Sequence, residues 1–168
     1  MGKNNRYVIG GKMEEKTNVM RILDKYKIKY IKHLYDPTKA LSGVEVANFL
    51  GEDLERVFKT LVTVGKSKLN HVFVIPVAEE LDLKKAAKAV NEKSIEMVKS
   101  KELLPLTGYI HGGCSPIGMK KFFTTVIHIT AQEYENIIFS AGKVGYQVEM
   151  PLKDLKKVIN FTLDDIVK

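Results

Sequence analysis

Two short strings hold the groups in this chain that could do chemistry. Lys59 stands inside the otherwise apolar run VFKTLV, where a cation needs a reason. Some fifty residues on, GYIHGGCSPIG (Gly108 to Gly118) brings together four glycines and a proline, a composition that exposes backbone and cannot build a core. Glycine lets a main chain approach a ligand and take positive φ, so Gly112 and Gly113 beside Ser115 and Pro116 predict a rigid loop with N–H groups facing outward. A cation and backbone donors together can hold a phosphate or a developing oxyanion. A protonated Lys59 would serve as that anchor, whereas a desolvated lysine of lowered pKa could take a proton. In a strand, Lys59, Leu61 and Thr63 share one face and Thr60, Val62 and Val64 the other. The spacing does not say which face is buried, and a solvated edge-strand lysine beside a plain glycine turn is the alternative.

Other reactive side chains are less well placed. Cys114, three residues after His111, enters a Ser-Pro turn with no third member to activate it and reads as a small semi-buried thiol. Ser115 lacks the G-x-S-x-G setting of a nucleophile elbow. The four histidines, His33, His71, His111 and His128, form no H-x-x-x-H pair and find no cysteine cluster, so neither metal nor cofactor is expected. The absence of a G-x-x-x-x-G-K-[ST] or G-x-G-x-x-G loop excludes the common nucleotide hydrolases and dinucleotide enzymes. Lys84, Lys85 and Lys88, with Lys120 and Lys121, are solvated faces or contacts for an anionic partner.

Elements must position these groups. Thr17 or Asn18 caps a helix carrying Val19, Ile22, Leu23 and Tyr26 to about Lys27, followed by a strand from Ile28 to Tyr35 that Asp36-Pro37 breaks. Ser42 and Glu45 form a capping box for a helix to Gly51, and a turn from Leu54 to Val57 feeds a strand Lys59 to Val64. His71 to Val77 pairs with it as a hairpin. Asp82 caps a helix through Val90, and a helical turn from Ser100 stops at Pro105. Val126 to Ile129 is a strand, Thr130 and Glu133 make a second capping box, and Ile137 to Ser140 pairs with Val144 to Met150 across Ala141-Gly142-Lys143. Pro151 opens a last helix through Val158. Strands and helices mix without βαβ alternation, which predicts α+β.

At 168 residues with 45% hydrophobic residues, the chain can fill the core of one domain. Its apolar runs fall short of the roughly 18 residues of a membrane span. Cys114 is the only cysteine, so no internal disulfide can form, and without a basic-then-apolar leader a reducing cytoplasm is the expected home. A net charge of +7 favours anionic partners, nucleic acid among them. MGKNNRYVIGGK, residues 1–12, precedes Met13 and reads as a leader, leaving a single domain over 13–168.

From about Asn18 to the C-terminus, HLYDP (His33 to Pro37), VFKTLV (Val57 to Val62), LDLKKAAKAV (Leu81 to Val90), the glycine string and SAGKVG (Ser140 to Gly145) resemble, in order and spacing, the YbaK/EbsC family of aminoacyl-tRNA deacylases. That family is related to the editing insertion of bacterial prolyl-tRNA synthetases. The resemblance implies a mixed, partly barrel-like β-sheet surrounded by helices, and removal of cysteine from tRNA(Pro), or also from tRNA(Cys), by hydrolysis or by attack of the cysteine thiol on its own carbonyl. It implies Lys59 as the catalytic residue, with Tyr35, Thr60, Gly112, Gly113 and Ser140 binding substrate and Tyr35 stacking on the terminal adenine. The implied partners are aminoacylated tRNA and prolyl-tRNA synthetase. Val144 stands where many members have arginine, Gln147 where an acidic residue is common, and Ser42 near the place of a phenylalanine, so the amino acid removed could instead be alanine or another small one. A module that binds nucleotide or tRNA ends without catalysis, and a Cys114-dependent hydrolase, are the readings from other classes.

Overall fold

The structure is a computed structural model and describes residues 8–9, 12–13, 15–39 and 42–168. The expected leader falls largely outside them; across its end Val8–Ile9 (β1) pairs antiparallel with Lys12–Met13 (β2).

Local chemistry sets most of the elements. Thr17 accepts the Met20 amide at 3.2 Å and starts Asn18–Lys25 (α1), which buries Val19, Met20 and Leu23. Lys27 then takes φ 57°, and the chain reaches Ile31–Leu34 (β3), a shorter strand than the alternation suggested. Ser42 accepts the Glu45 amide at 3.1 Å and caps Gly43–Leu50 (α2). Gly51 at φ 67° ends that helix in a Schellman arrangement, its own N–H on Asn48 and that of Glu52 on Ala47. A 3-10 turn, Leu54–Arg56, leads into Phe58–Gly65 (β4), which forms the expected hairpin with Asn70–Pro76 (β5), Lys59 opposite Ile75. Asp82 accepts the amides of Lys84 and Lys85 and caps Leu83–Ala89 (α3). Ile95–Met97 (β6) follows, too short for its alternation to show in the sequence.

The remaining elements are Ser100–Thr107 (α4), Thr124–His128 (β7), a 3-10 turn Ile129–Glu133, Asn136–Ser140 (β8), Tyr146–Pro151 (β9), Leu152–Leu155 (α5) and Thr162–Asp164 (β10). The structure departs from the sequence expectation at three places. Pro105 does not stop α4, because the N–H it lacks would have met the carbonyl of exposed Lys101, where water can substitute. The helix runs on until Gly108 at φ 85° ends it, with the Thr107 hydroxyl donating to the Leu103 carbonyl. The Thr130/Glu133 box does not form: His128, not Thr130, takes the cap position of the 3-10 turn, and Thr130 Oγ1 is buried without a partner. The last helix closes at Leu155, after which Lys157 and Val158 bond three residues back, a tightened turn instead of α-helix.

The five-stranded sheet has the order β10-β7-β5-β4-β6 and the three-stranded sheet β3-β9-β8. A parallel bridge from Val57 to Ile138 joins them, and they do not close into a barrel. Phe58, Val62, Val72, Val74 and Ile127 of the larger sheet meet Ile137, Phe139, Val148 and Met150 of the smaller, forming the main core. On the larger sheet's other face, Phe73, Ile75 and Val126 pack under Ala86 and Ala87 of α3 and the tail residues Ile166 and Val167. The architecture is α+β, as the mixture of elements predicted.

Candidate functional site

The alternation of β4 settles which way Lys59 points. Phe58 and Val62 enter the main core, so Val57, Lys59 and Leu61 lie on the opposite face, where Val57 packs with Ala47, Val77 and Ile138 and Leu61 packs beside Phe73. Lys59 therefore sits half-buried between two apolar clusters. Its ammonium makes no hydrogen bond to a described residue; burial pushes its pKa below the usual lysine range, against the pull of Glu80 and Glu79 just past β5. The bridge from Val57 to Ile138 is parallel, so two residues on from each partner Lys59 and Ser140 fall on one face.

The glycine loop closes on the turn after Ser140. The Gly113 amide donates to the Ile110 carbonyl at 3.0 Å, and Gly112 has φ 85° while His111 has an ordinary negative φ, which is a type II turn with glycine where that turn demands it. The Gly113 N–H is thereby used, and among the described residues the Gly112 N–H has no partner. A Cβ on Gly113 would sit 3.1 Å from the Val144 nitrogen, and one on Gly112 would be 3.6 Å from the Val144 side chain. Ser140 Oγ accepts the Gly142 amide at 3.1 Å, which holds the β8–β9 turn and leaves the hydroxyl proton free. Val144 packs with Tyr35, Val46 and Leu50, and the Tyr35 amide donates to the Gly145 carbonyl at 3.0 Å.

Ser140, Gly112, Gly113 and Tyr35 thus surround one turn, next to the face that carries Lys59. Tyr35 is 8% exposed, a wall with little open ring. Thr60 shares the core-facing side with Phe58 and Val62, its Oγ1 buried and unpartnered, and is not brought to Lys59. Burial raises the Cys114 thiol to about 12, so it is protonated at neutral pH and lacks nucleophile character. Among the described residues no three His, Cys, Asp or Glu side chains gather to hold a metal, and no helix is long and apolar enough to cross a membrane.

Sequence reasoning missed a polar cluster on the Ser140 face of the small sheet. Gln147 lies opposite both Ser140 and His33, and His33 Nε2 is 2.9 Å from Glu149 Oε1. The Schellman turn at Gly51 swings Glu52 inward; with its amide nitrogen facing the carboxylate, Gln147 donates to Glu52 Oε2 at 2.8 Å. Burial raises the Glu52 pKa, against His33 and the Gln147 hydrogen bond. The only advance signal was glutamine at position 147, which gives a buried acid from another element a donor.

Residues 37–158 match the family model of the aminoacyl-tRNA editing domain. Over 150 residues, 89% of this chain and 92% of the relative, the sequence is 47% identical to EbsC of Enterococcus faecalis (strain ATCC 700802 / V583), provisionally named a Cys-tRNA(Pro)/Cys-tRNA(Cys) deacylase. A crystal structure provisionally identified as a trans-editing enzyme for prolyl tRNA synthetase superposes with TM-score 0.77 at 19% identity, covering 92% of this chain and 99% of that one. The hypothetical protein APE2540 superposes with TM-score 0.80 at 19% identity, covering 92% and 100%. The two structural likenesses speak to the fold alone.

Proposed function

Because this chain belongs to the aminoacyl-tRNA editing domain family, we propose that it is a trans-editing deacylase that cleaves the aminoacyl ester of mischarged Cys-tRNA(Pro), and of Cys-tRNA(Cys) as well. The observation that carries the reading is Lys59: a half-buried cation without a hydrogen-bonded partner among the described residues, on the face it shares with Ser140. Attack on the ester carbonyl puts negative charge on its oxygen, which the Lys59 ammonium and the Gly112 amide stabilise. The nucleophile is water or the substrate's own cysteine thiol. In either case the bond to the ribose oxygen breaks, and the nucleophile's proton ends on that oxygen.

The Ser140 hydroxyl donates to the substrate, while Gly113 and Tyr35 shape the wall through their contacts with Val144, which favours a small aminoacyl group. Thr60 contributes through its place in the strand that aims Lys59. The deacylase unit spans residues 13–168 and works in the cytoplasm, where translation runs. Prolyl-tRNA synthetase is the partner that supplies tRNA selectivity.

The test is deacylation of Cys-tRNA(Pro), Ala-tRNA(Pro) and Pro-tRNA(Pro) by the purified protein. Loss of cysteine faster than of proline is expected. Preference for alanine would reassign the substrate, and tight tRNA binding with unchanged ester lifetimes would make the protein a binding module.

A further inference from the structure

An open groove of about 550 Å³ lies between α3 and β6, on the sheet face that carries Lys59 but toward the other end of β4. It is lined by Lys84, Lys88 and Lys93 together with Asn91, Ser94 and apolar Leu83. Lys84 and Lys88 are one helical turn apart, so their side chains leave the same flank of α3 about 6 Å apart along its axis. None of the three lysines has an ion pair to a described residue, whereas Lys85, on the other flank of α3, is tied to Asp165 at 3.0 Å and to the Val167 carbonyl at 2.8 Å. The one carboxylate in the lining, Glu92, is held by Ser67 and His71. Glu96 of β6 alternates away from Ile95, which faces α3.

The groove also has a direction. The chain runs up β5, turns at Glu79 and Glu80 beside Lys59, and returns along α3, so α3 runs parallel to β4. Its first turn lies toward the Lys59 end of the sheet. Its last leads to Glu92, which lies against Gly65 at the far end of β4. Lys59 and Gly65 are six residues apart, about 20 Å along a strand. We infer that this groove holds the sugar-phosphate backbone of the tRNA acceptor end while the terminal aminoacyl-adenosine occupies the Lys59 end of the same face. The inference rests on the deacylase reading for the identity of the RNA. Three ammonium groups without an ion pair to a described residue, with the Asn91 amide and Ser94 hydroxyl in the same lining, suit a run of phosphates.

The test uses uncharged tRNA(Pro), so it does not depend on ester cleavage. Binding is followed by fluorescence anisotropy from 50 to 300 mM salt for the wild type, for Lys84→Gln/Lys88→Gln/Lys93→Gln, and for Lys25→Gln/Lys27→Gln/Lys29→Gln, which removes the same charge elsewhere. The groove variant should bind roughly tenfold more weakly at the lowest salt, with a salt slope smaller by about 2. The control variant should keep the wild-type slope. Equal losses in both variants would reduce the groove to net charge, and an unchanged slope in the groove variant would overturn the inference. So would wild-type binding of poly-glutamate in preference to tRNA. If the wild type binds tRNA through these lysines but cleaves no ester, the groove stands and the deacylase reading falls.

Discussion

The two ends of the β4–β5 hairpin treat charge in opposite ways. At the Gly65 end, the Glu92 carboxylate accepts from the Ser67 amide at 3.2 Å, from the Ser67 hydroxyl and from His71 Nε2 at 2.7 Å. Gly65 makes room for it, since a Cβ there would collide with the Glu92 carboxylate. At the other end Lys59 is half-buried and hydrogen-bonded to no described residue. A polar group saturated by its neighbours belongs to the architecture, and one left wanting is available to a substrate. His71 Nδ1, buried and unpartnered, is the exception at the saturated end.

The strongest way to break this contrast is Lys59→Met. Deacylation should fall at least about 100-fold, the scale of losing one oxyanion donor. Stability should rise at neutral pH, because a lysine whose folded pKa lies below its unfolded value carries a cost while charged. That gain is full below the lowered pKa and fades as pH rises toward the ordinary lysine range. A thermal melt at pH 7 and at about pH 10.5, the ordinary lysine value, checks it; a lower melting temperature at pH 7 would mean that Lys59 is structural.

Gly65→Ala probes the opposite end. The new methyl displaces the Glu92 carboxylate, so the melting temperature should drop while the rate stays within about twofold of wild type. Glu92→Gln adds the pH sign. Hydrogen bonds from Ser67, then His71, hold the Glu92 pKa below the usual carboxylate range, so its stabilisation is present at neutral pH and lost as pH falls through the lowered value. In the glutamine variant the acid-induced loss should shrink.

Smaller effects separate the two glycines. Gly113→Ala pushes on the Val144 backbone and should slow deacylation roughly tenfold. Gly112→Ala meets the Val144 side chain only at ordinary contact distance, 3.6 Å, but must hold φ 85°, costing about 1 kcal/mol of stability and less activity. Smallest of all, Cys114→Ser should leave the rate nearly unchanged, as expected of a thiol raised to about 12.

What was legible in the sequence was what local chemistry decides. Ser42, Asp82 and Thr17 cap where capping rules place them, and the hairpins of β4–β5 and β8–β9 form where alternation and turn residues put them. Lys59 and the glycine pair stood out by type alone. Which face Lys59 takes was not legible, because alternation defines two faces and only the second sheet decides which becomes core. Glu52 was invisible for a similar reason: its carboxylate is buried by β9, almost a hundred residues away along the chain. The helix passes Pro105 because a missing N–H costs little opposite the carbonyl of an exposed residue, which water can reach.

The claim that a charged, partly desolvated Lys59 drives the reaction is tested most directly by the single-turnover rate of Cys-tRNA(Pro) deacylation as a function of pH, corrected for spontaneous ester loss. With Lys59 acting as a cation, the rate should hold a plateau through neutrality and decline at a pH below the usual lysine value. That decline should come at still lower pH in Glu80→Gln, which removes a carboxylate that supports the ammonium. A rate that climbs through that range, with the rising limb absent from Lys59→Met, would make Lys59 a base and contradict the account.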